Sequence, residues 1–247
     1  MTDHGVFYPN ALHDDLVFHL TLAPADQVVR GSDTTKLVYK LTNIEMEYEM
    51  IRSKSLAVDA ASIYTSGKAF AFDHVALEKV VTIDKGTEKR INIKVNAQRR
   101  SMKAILLLFV EAYAPGTRDS EKYIFPDLKK ISVSIGGKPN MLYSDGIFPY
   151  HHWREVSQFF MEKGQNPKDM DMKKFYTKNK FGLLFDLRSM KSQKIHGSST
   201  RLVNVTEGVH LAIERYPKGS GEVNCHIFII SDAQFNIQNR QLESVQK

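Results

Sequence analysis

The chain contains one cysteine, Cys225, and the next residue is a histidine. A thiol nucleophile needs a base within hydrogen-bond reach. In Val223-Asn224-Cys225-His226-Ile227 the cysteine shares parity with Val223 and Ile227. On a strand it therefore faces the core as a small hydrophobe, while His226 points the other way. No Cys–His catalytic pair is expected. Metal chemistry on a sandwich face needs two histidines at His-x-His spacing plus a carboxylate. The close pair here is His151-His152, adjacent and so opposite-facing if extended. His210 and His226 fall on separate late runs, both on the polar parity, where they could be neighbours across one sheet. No carboxylate has diagnostic spacing with them, so neither a metal nor a cofactor is expected.

Other candidates for chemistry are equally sparse. Gly136-Gly137-Lys138-Pro139 lacks the Gly-x4-Gly-Lys-Ser/Thr frame of a phosphate loop, and neither a Gly-x-Ser-x-Gly elbow nor a Gly-x-Gly-x-x-Gly turn after a strand occurs. Glu45/Glu47 and Glu47/Glu49 share a strand face, which a solvated sheet explains more simply than paired catalytic carboxylates. The most distinctive charge feature is basic. Residues 162–201 hold ten basic against four acidic side chains, the whole of the formal excess of +6. Lys173, Lys174, Lys178, Lys180, Lys191 and Lys194 are the candidates for a face that meets polyanions, packaged nucleic acid included. The alternative is a solvated lysine-rich surface. No aromatics interleave with these lysines in a base-reading pattern, which argues against sequence-specific recognition.

Around these residues lies a chain of ordinary globular composition, 42% hydrophobic and 25% charged, so disorder is not the default. The longest strongly apolar run, residues 104–110, is far short of the roughly 20 residues of a membrane span. Met1-Thr2-Asp3-His4-Gly5 has neither the basic nor the apolar region of a secretory signal. A single cysteine excludes an intrachain disulfide and fits a reducing compartment or a fold that needs no staples. Asn204-Val205-Thr206 spells a glycosylation sequon, read as chance without a secretory signal.

Period-2 alternation dominates. Ile91, Ile93 and Val95 alternate with polar residues, as do Ile131, Val133 and Ile135; Val209, Leu211 and Ile213 form a third such set. Less clean alternation through 16–22 and 36–50 predicts further strands. Residues 104–110 and 227–230 are apolar on both parities and predict strands covered on both faces. Asp84-Lys85-Gly86-Thr87, Ala114-Pro115-Gly116, Ile135-Gly136-Gly137-Lys138-Pro139 and Pro217-Lys218-Gly219-Ser220-Gly221 mark reversals. Helical spacing occurs in 53–65 (Leu56, Ala60, Ile63) and in 151–163 (Trp153, Val156, Phe159, Phe160), the second closed by Gly164. Helices and strands do not alternate, which argues against a parallel βαβ sheet. The expectation is an all-β fold: one antiparallel β-sandwich of jelly-roll type over 1–247, with about eight strands and two short helices in the connections. Residues 1–13 are a lead-in, 144–180 a long helix-bearing loop and 239–247 a tail.

Several stretches, in order along nearly the whole chain, are similar to one family. They are Val38-Tyr39-Lys40-Leu41-Thr42-Asn43-Ile44-Glu45-Met46-Glu47-Tyr48-Glu49, Ser101-Met102-Lys103-Ala104-Ile105-Leu106-Leu107-Leu108-Phe109 and Lys122-Tyr123-Ile124-Phe125-Pro126-Asp127-Leu128. They continue through Gly137-Lys138-Pro139-Asn140-Met141-Leu142-Tyr143, His196-Gly197-Ser198-Ser199-Thr200-Arg201 and Phe228-Ile229-Ile230-Ser231-Asp232-Ala233-Gln234-Phe235-Asn236-Ile237. The series resembles the double jelly-roll major capsid proteins of Polinton/Maverick-like and adintovirus-like elements, in the C-terminal roll and its approach. In that family two rolls stand in tandem and three copies make a pseudo-hexagonal capsomer. The resemblance implies a non-enzymatic shell subunit, or a remnant of one, that associates with itself and with other capsid proteins. A homotrimer is implied where a full double roll is present. The implied place is the virion, or the host-cell interior for an integrated gene.

Phe148, Tyr150, Trp153, Phe159 and Phe160, in the long loop, are the candidate subunit or roll contacts. They either cap their own sandwich or meet a neighbouring one. Two other classes stay open. A carbohydrate- or protein-binding sandwich would need exposed aromatics on one platform, yet Tyr39 and Tyr48 have opposite parity. A cupin-like metal enzyme is disfavoured by the histidine spacing.

Overall fold

The computed structural model describes residues 8–13, 15, 17–29, 38–47, 52–84, 90–96, 101–112, 122–161, 171–188, 208–216 and 221–246. The strands are β1 (Lys68–Ile83), β2 (Ile91–Val95), β3 (Met102–Glu111), β4 (Leu128–Ile135), β5 (Lys138–Asn140), β6 (Leu183–Asp186), β7 (Val209–Arg215), β8 (Val223–Gln238) and β9 (Gln241–Gln246). The helices are α1 (Ala25–Val28), α2 (Lys54–Ser66), α3 (Pro149–Met161) and α4 (Met172–Thr177), with a 3-10 turn at Pro9–Ala11.

The winding follows from which strands pair. β4 turns into β5 through Gly136 and Gly137, both at positive φ (55° and 75°), the two-residue geometry that suits hairpin twist. Outward from that tip, β3 pairs with β6, β2 with β7 and β1 with β8, every pair antiparallel. The chain is thus one long hairpin of paired strands. Wrapping it adds the pairs β3–β8 and β4–β7. The result is two sheets, ordered β1-β8-β3-β6 and β2-β7-β4-β5. This is the winding of a jelly roll. Nine strands are present among the described residues, in two antiparallel sheets with a few short helices.

Alternation explains the core between the sheets. Ile105, Leu107 and Phe109 of β3 sit opposite Ile229, Ile227 and Cys225 of β8, with Leu183 and Phe185 of β6 on the same face. Ile93, Val95, Ile131, Val133, Val209, Leu211 and Ile213 of the other sheet join them in one buried cluster. Arg215, buried at the end of β7, ties three connections together. Its guanidinium donates to the carbonyls of Pro126 (2.8 Å), Asp84 (3.2 Å) and Gly221 (3.1 Å).

β8 outruns its neighbour: pairing with β3 ends at Met102–Ser231, and β9 takes over from Gln234. On this three-stranded tip a second small core forms from Ala11, Ala60, Tyr64, Phe70 and Ile237. The Phe70 and Phe235 rings stack at 5.0 Å. α2 is placed there by Ser53, whose hydroxyl accepts from the Leu56 N–H, and is stopped by Gly67 at φ 109°.

Several expectations change. Residues 17–22 and 38–47 form no strand, so Tyr39, Glu45 and Glu47 lie off the sandwich; Tyr48 and Glu49 are outside the described residues. Alternation there supplies an apolar side, but among the described residues no strand pairs with it. β1 extends twelve residues further back than the Val80-Val81-Thr82-Ile83 run. β5, β6, α1 and α4 are additional elements. Residues 241–246, within the segment set apart as a tail, form β9.

Candidate functional site

α3 buries His152, Glu155, Val156 and Phe159, the i, i+3, i+4, i+7 stripe of a helix with one inward face. Histidine was not expected on it. A helix separates adjacent residues by about 100°, so His151 is exposed while His152 is fully buried. His152 Nε2 accepts from the Leu184 N–H at 3.3 Å, and Nδ1 lies 2.7 Å from Tyr176 Oη. The Tyr143 hydroxyl donates to the Leu184 carbonyl at 3.1 Å. Leu184 belongs to β6, the outer strand of its sheet, so an imidazole and a phenol occupy the backbone groups that another strand would take. With Nε2 accepting, the neutral ring carries its proton on Nδ1 and donates to Tyr176. Burial pushes the His152 pKa down to about 4 and raises those of Tyr143 and Tyr176. Phe125, Phe175 and Phe181 close the corner edge-on or tilted at 5.0–5.8 Å.

The five aromatic contact candidates divide here. Phe159 is fully buried beneath Arg188, whose guanidinium carbon lies 4.6 Å from the ring centroid, and Arg188 is held by Asp186 at 2.8 Å. Trp153 and Phe160 are half-buried against the same core. Phe148 and Tyr150 stand exposed.

The opposite end of the same sheet is built otherwise. On its outer face the registers align Leu77, Phe228, Leu106 and Leu184 in one row across β1, β8, β3 and β6. Val75 sits beside Ile230, and Val80 and Leu108 flank His226. Exposure falls along the row from 49% at Leu77 to 0% at Leu184. Near β6 the leucines close over Gly182, where a Cβ would lie 2.9 Å from Leu108 Cδ2. Near β1, Val75, Leu77 and Val80 are exposed. Asp73 and Asp232 face each other at one end of this surface. Lys103 bridges them, with Nζ 2.6 and 2.7 Å from their oxygens, and Ser101 donates to Asp232 at 2.7 Å. Burial acts to lower the Lys103 pKa, but its bonds to the two carboxylates outweigh it and hold the pKa above the usual value.

Lys173, Lys174, Lys178 and Lys180 are exposed on α4 and just beyond it. Lys191 and Lys194 lie outside the described residues. Cys225 is buried in the core, with burial pushing its thiol up to about 12. His226 is on the outer face, as its parity requires. His210 belongs to β7, in the other sheet, so the two histidines are not neighbours across one sheet. Among the described residues no group of three or more His, Cys, Asp or Glu side chains converges as a metal site.

No protein-family model matches the chain, and no curated protein matches it. Several solved structures are similar in shape. VP54 of PBCV-1, fitted into a reconstruction of the virophage Sputnik, has a TM-score of 0.45 at 7% identity, over 77% of this chain and 54% of that one. A quasi-atomic model of the PBCV-1 virus capsid has a TM-score of 0.46 at 8% identity, over 78% and 54%. The mavirus major capsid protein has a TM-score of 0.38 at 9% identity, over 72% and 41%. The chain thus spans about half the length, or less, of these proteins.

Proposed function

We propose that this chain is a structural, capsid-type subunit that associates with copies of itself and with other shell proteins, and that catalyses no reaction. The observation that carries the reading is the open outer face of the β1-β8-β3-β6 sheet. Val75, Leu77 and Val80 are exposed there beside the half-buried Phe228, Leu106 and Leu108. Contiguous apolar area of this kind marks a protein contact. The jelly-roll winding and the collinear resemblance to double jelly-roll capsid proteins of Polinton/Maverick-like and adintovirus-like elements support the same reading. A second sandwich of like build, standing beside this face, is the natural occupant. Phe148 and Tyr150, exposed at the β6 end of the same sheet, would serve a separate contact, and a trimer is the assembly the resemblance implies. Lys173, Lys174, Lys178 and Lys180 would face packaged nucleic acid, and the place of action would be the virion. Light scattering coupled to size exclusion, at low and high salt, tests this. Association through apolar faces gives a trimer or larger species that persists in high salt. A clean monomer at every concentration overturns it.

A further inference from the structure

Two exposed apolar patches lie at opposite ends of the β1-β8-β3-β6 sheet. One is a knob at the start of α3, which lies against β6. Phe148 and Tyr150 are 59% and 66% exposed there. Both rings stand edge-on to the exposed His151 ring, with centroids at 6.4 and 5.9 Å. Arg154, one turn on from Tyr150, is exposed beside them. The other side of the helix holds the knob in place. His152 accepts from the Leu184 N–H, and Trp153 packs against Phe175 with ring centroids at 5.1 Å. Aromatic side chains presented from a fixed helix make effective anchors for a protein contact.

The other patch is a socket on the outer face at β1. Val75, Leu77 and Val80 are each about half exposed, over a floor of half-buried Phe228, Leu106 and Leu108. The two patches match in kind and size. Two rings about three-fifths exposed offer on the order of 250 Å² of apolar surface. Three half-exposed aliphatic side chains and the floor between them offer a comparable area. Such a centre inside a polar rim has the anatomy of an interface of about 800 Å² per partner. The patches match in charge as well. At one margin of the socket Asp73 and Asp232 outnumber Lys103 by one negative charge, and Glu78 and Lys79 cancel. Arg154 brings a positive charge to the knob. Opposite signs favour knob against socket, and like signs disfavour knob against knob and socket against socket.

One chain cannot join its own two patches. Adjacent strands lie about 4.8 Å apart, so three spacings put Leu77 about 14 Å from Leu184, with α3 beyond it. We infer that copies of the chain meet head to tail, the Phe148/Tyr150 knob of one seated in the Val75/Leu77/Val80 socket of the next, and that the succession closes into a ring. A contact between two unlike patches is heterologous, and a heterologous contact that closes leaves no patch open. Every contact of a symmetric trimer is of this kind. The inference rests on the self-association proposed above and deepens it. The two contacts, separate on one chain, are the two halves of one interface between chains.

Cross-linking of mixed chains tests it. Chains carrying Phe148→Cys are mixed with chains carrying Val75→Cys and treated with a short bismaleimide. Each substitution leaves the rest of its patch intact, and the native Cys225 is buried. The expected product is a cross-linked heterodimer, several-fold above either homodimer. A heterodimer no more abundant than the homodimers overturns the inference. A chain carrying both substitutions should link between copies up to a trimer. Links confined within one chain, or a ladder running past the trimer, overturn it. A second readout needs no reagent. Phe148→Ser with Tyr150→Ser removes the knob, and Val75→Lys with Leu77→Lys removes the socket. All four positions are exposed, so the melting temperatures should stay at the parent value. Each variant alone should be monomeric. An equimolar mixture should recover a dimer, since one intact knob then meets one intact socket. A knobless chain of parental mass removes the head-to-tail contact but leaves the shell reading standing, whereas a monomeric parent chain removes both.

Discussion

The two ends of the β1-β8-β3-β6 sheet meet water differently. At β6 the backbone is capped by Tyr143 and His152, α3 lies alongside, and the last residue of the apolar row is fully buried. At β1 the same row begins with half-exposed Leu77, and among the described strands β1 pairs with β8 alone. Sealing one end and not the other separates two tasks. The sealed end contributes to folding stability, and the open end is available to a partner. Substitutions at the two ends should therefore fail in different assays.

The largest effect is expected at Phe159→Ala. Emptying a fully buried aromatic site and removing the surface under Arg188 should cost about 3–5 kcal/mol, read as a lowered denaturant midpoint. Comparable loss at the open end would erase the distinction.

Next comes pH. His152 is held neutral, with its pKa lowered to about 4 from an ordinary 6.5. Between those values the unfolded chain binds a proton that the folded chain refuses. The stability this site contributes is present above pH 6.5 and is lost as pH falls to about 4, by about 3 kcal/mol in all. Denaturation at pH 7.5 and pH 4.5 should show this loss in the parent chain and a smaller one in His152→Gln. Equal losses in both would place the acid sensitivity elsewhere.

His152→Ala at neutral pH leaves the Leu184 N–H without its acceptor and should cost about 1–3 kcal/mol. It also opens the β6 edge, so aggregation above the parent level should accompany the loss, visible by light scattering.

The smallest effect on stability belongs to the open end. Val75→Lys with Leu77→Lys alters exposed positions and should shift stability by no more than about 0.5 kcal/mol per site. Solution mass should fall even so. A large stability loss with unchanged mass would mean that this face is covered within the chain itself.

Much of the sandwich was legible in advance. β2 and the 131–135 stretch of β4 alternate because each buries one face, β7 does so except at Ala212, which is buried too, and β3 is apolar on both parities, with its outer Leu106 and Leu108 half-buried. The parity of Cys225 placed it in the core, and the Leu56-Ala60-Ile63 spacing located α2, although the helix buries Ala60 and Tyr64 and leaves Ile63 exposed. The first part of β1 was not read because its inward positions run Phe70, Phe72, His74, Ala76, Glu78, and small and polar residues there blur the alternation. The sealed corner was missed for a different reason. His152 looked like half of an adjacent pair, and only the phase of α3 and the return of β6 bring it to Leu184. Residues 17–22 and 38–47 carry alternation without a sheet, since a pattern records an apolar side and not its partner.

Hydrogen–deuterium exchange at low and high protein concentration compares the two ends most directly. The account predicts that the Leu184 amide, bonded to His152, exchanges slowly at both concentrations. Amides from Lys68 to Glu78 that β8 does not protect should exchange fast when dilute and slow when concentrated, as the solution mass rises. Rates along β1 that stay the same while the mass rises would put the association surface elsewhere and contradict the account.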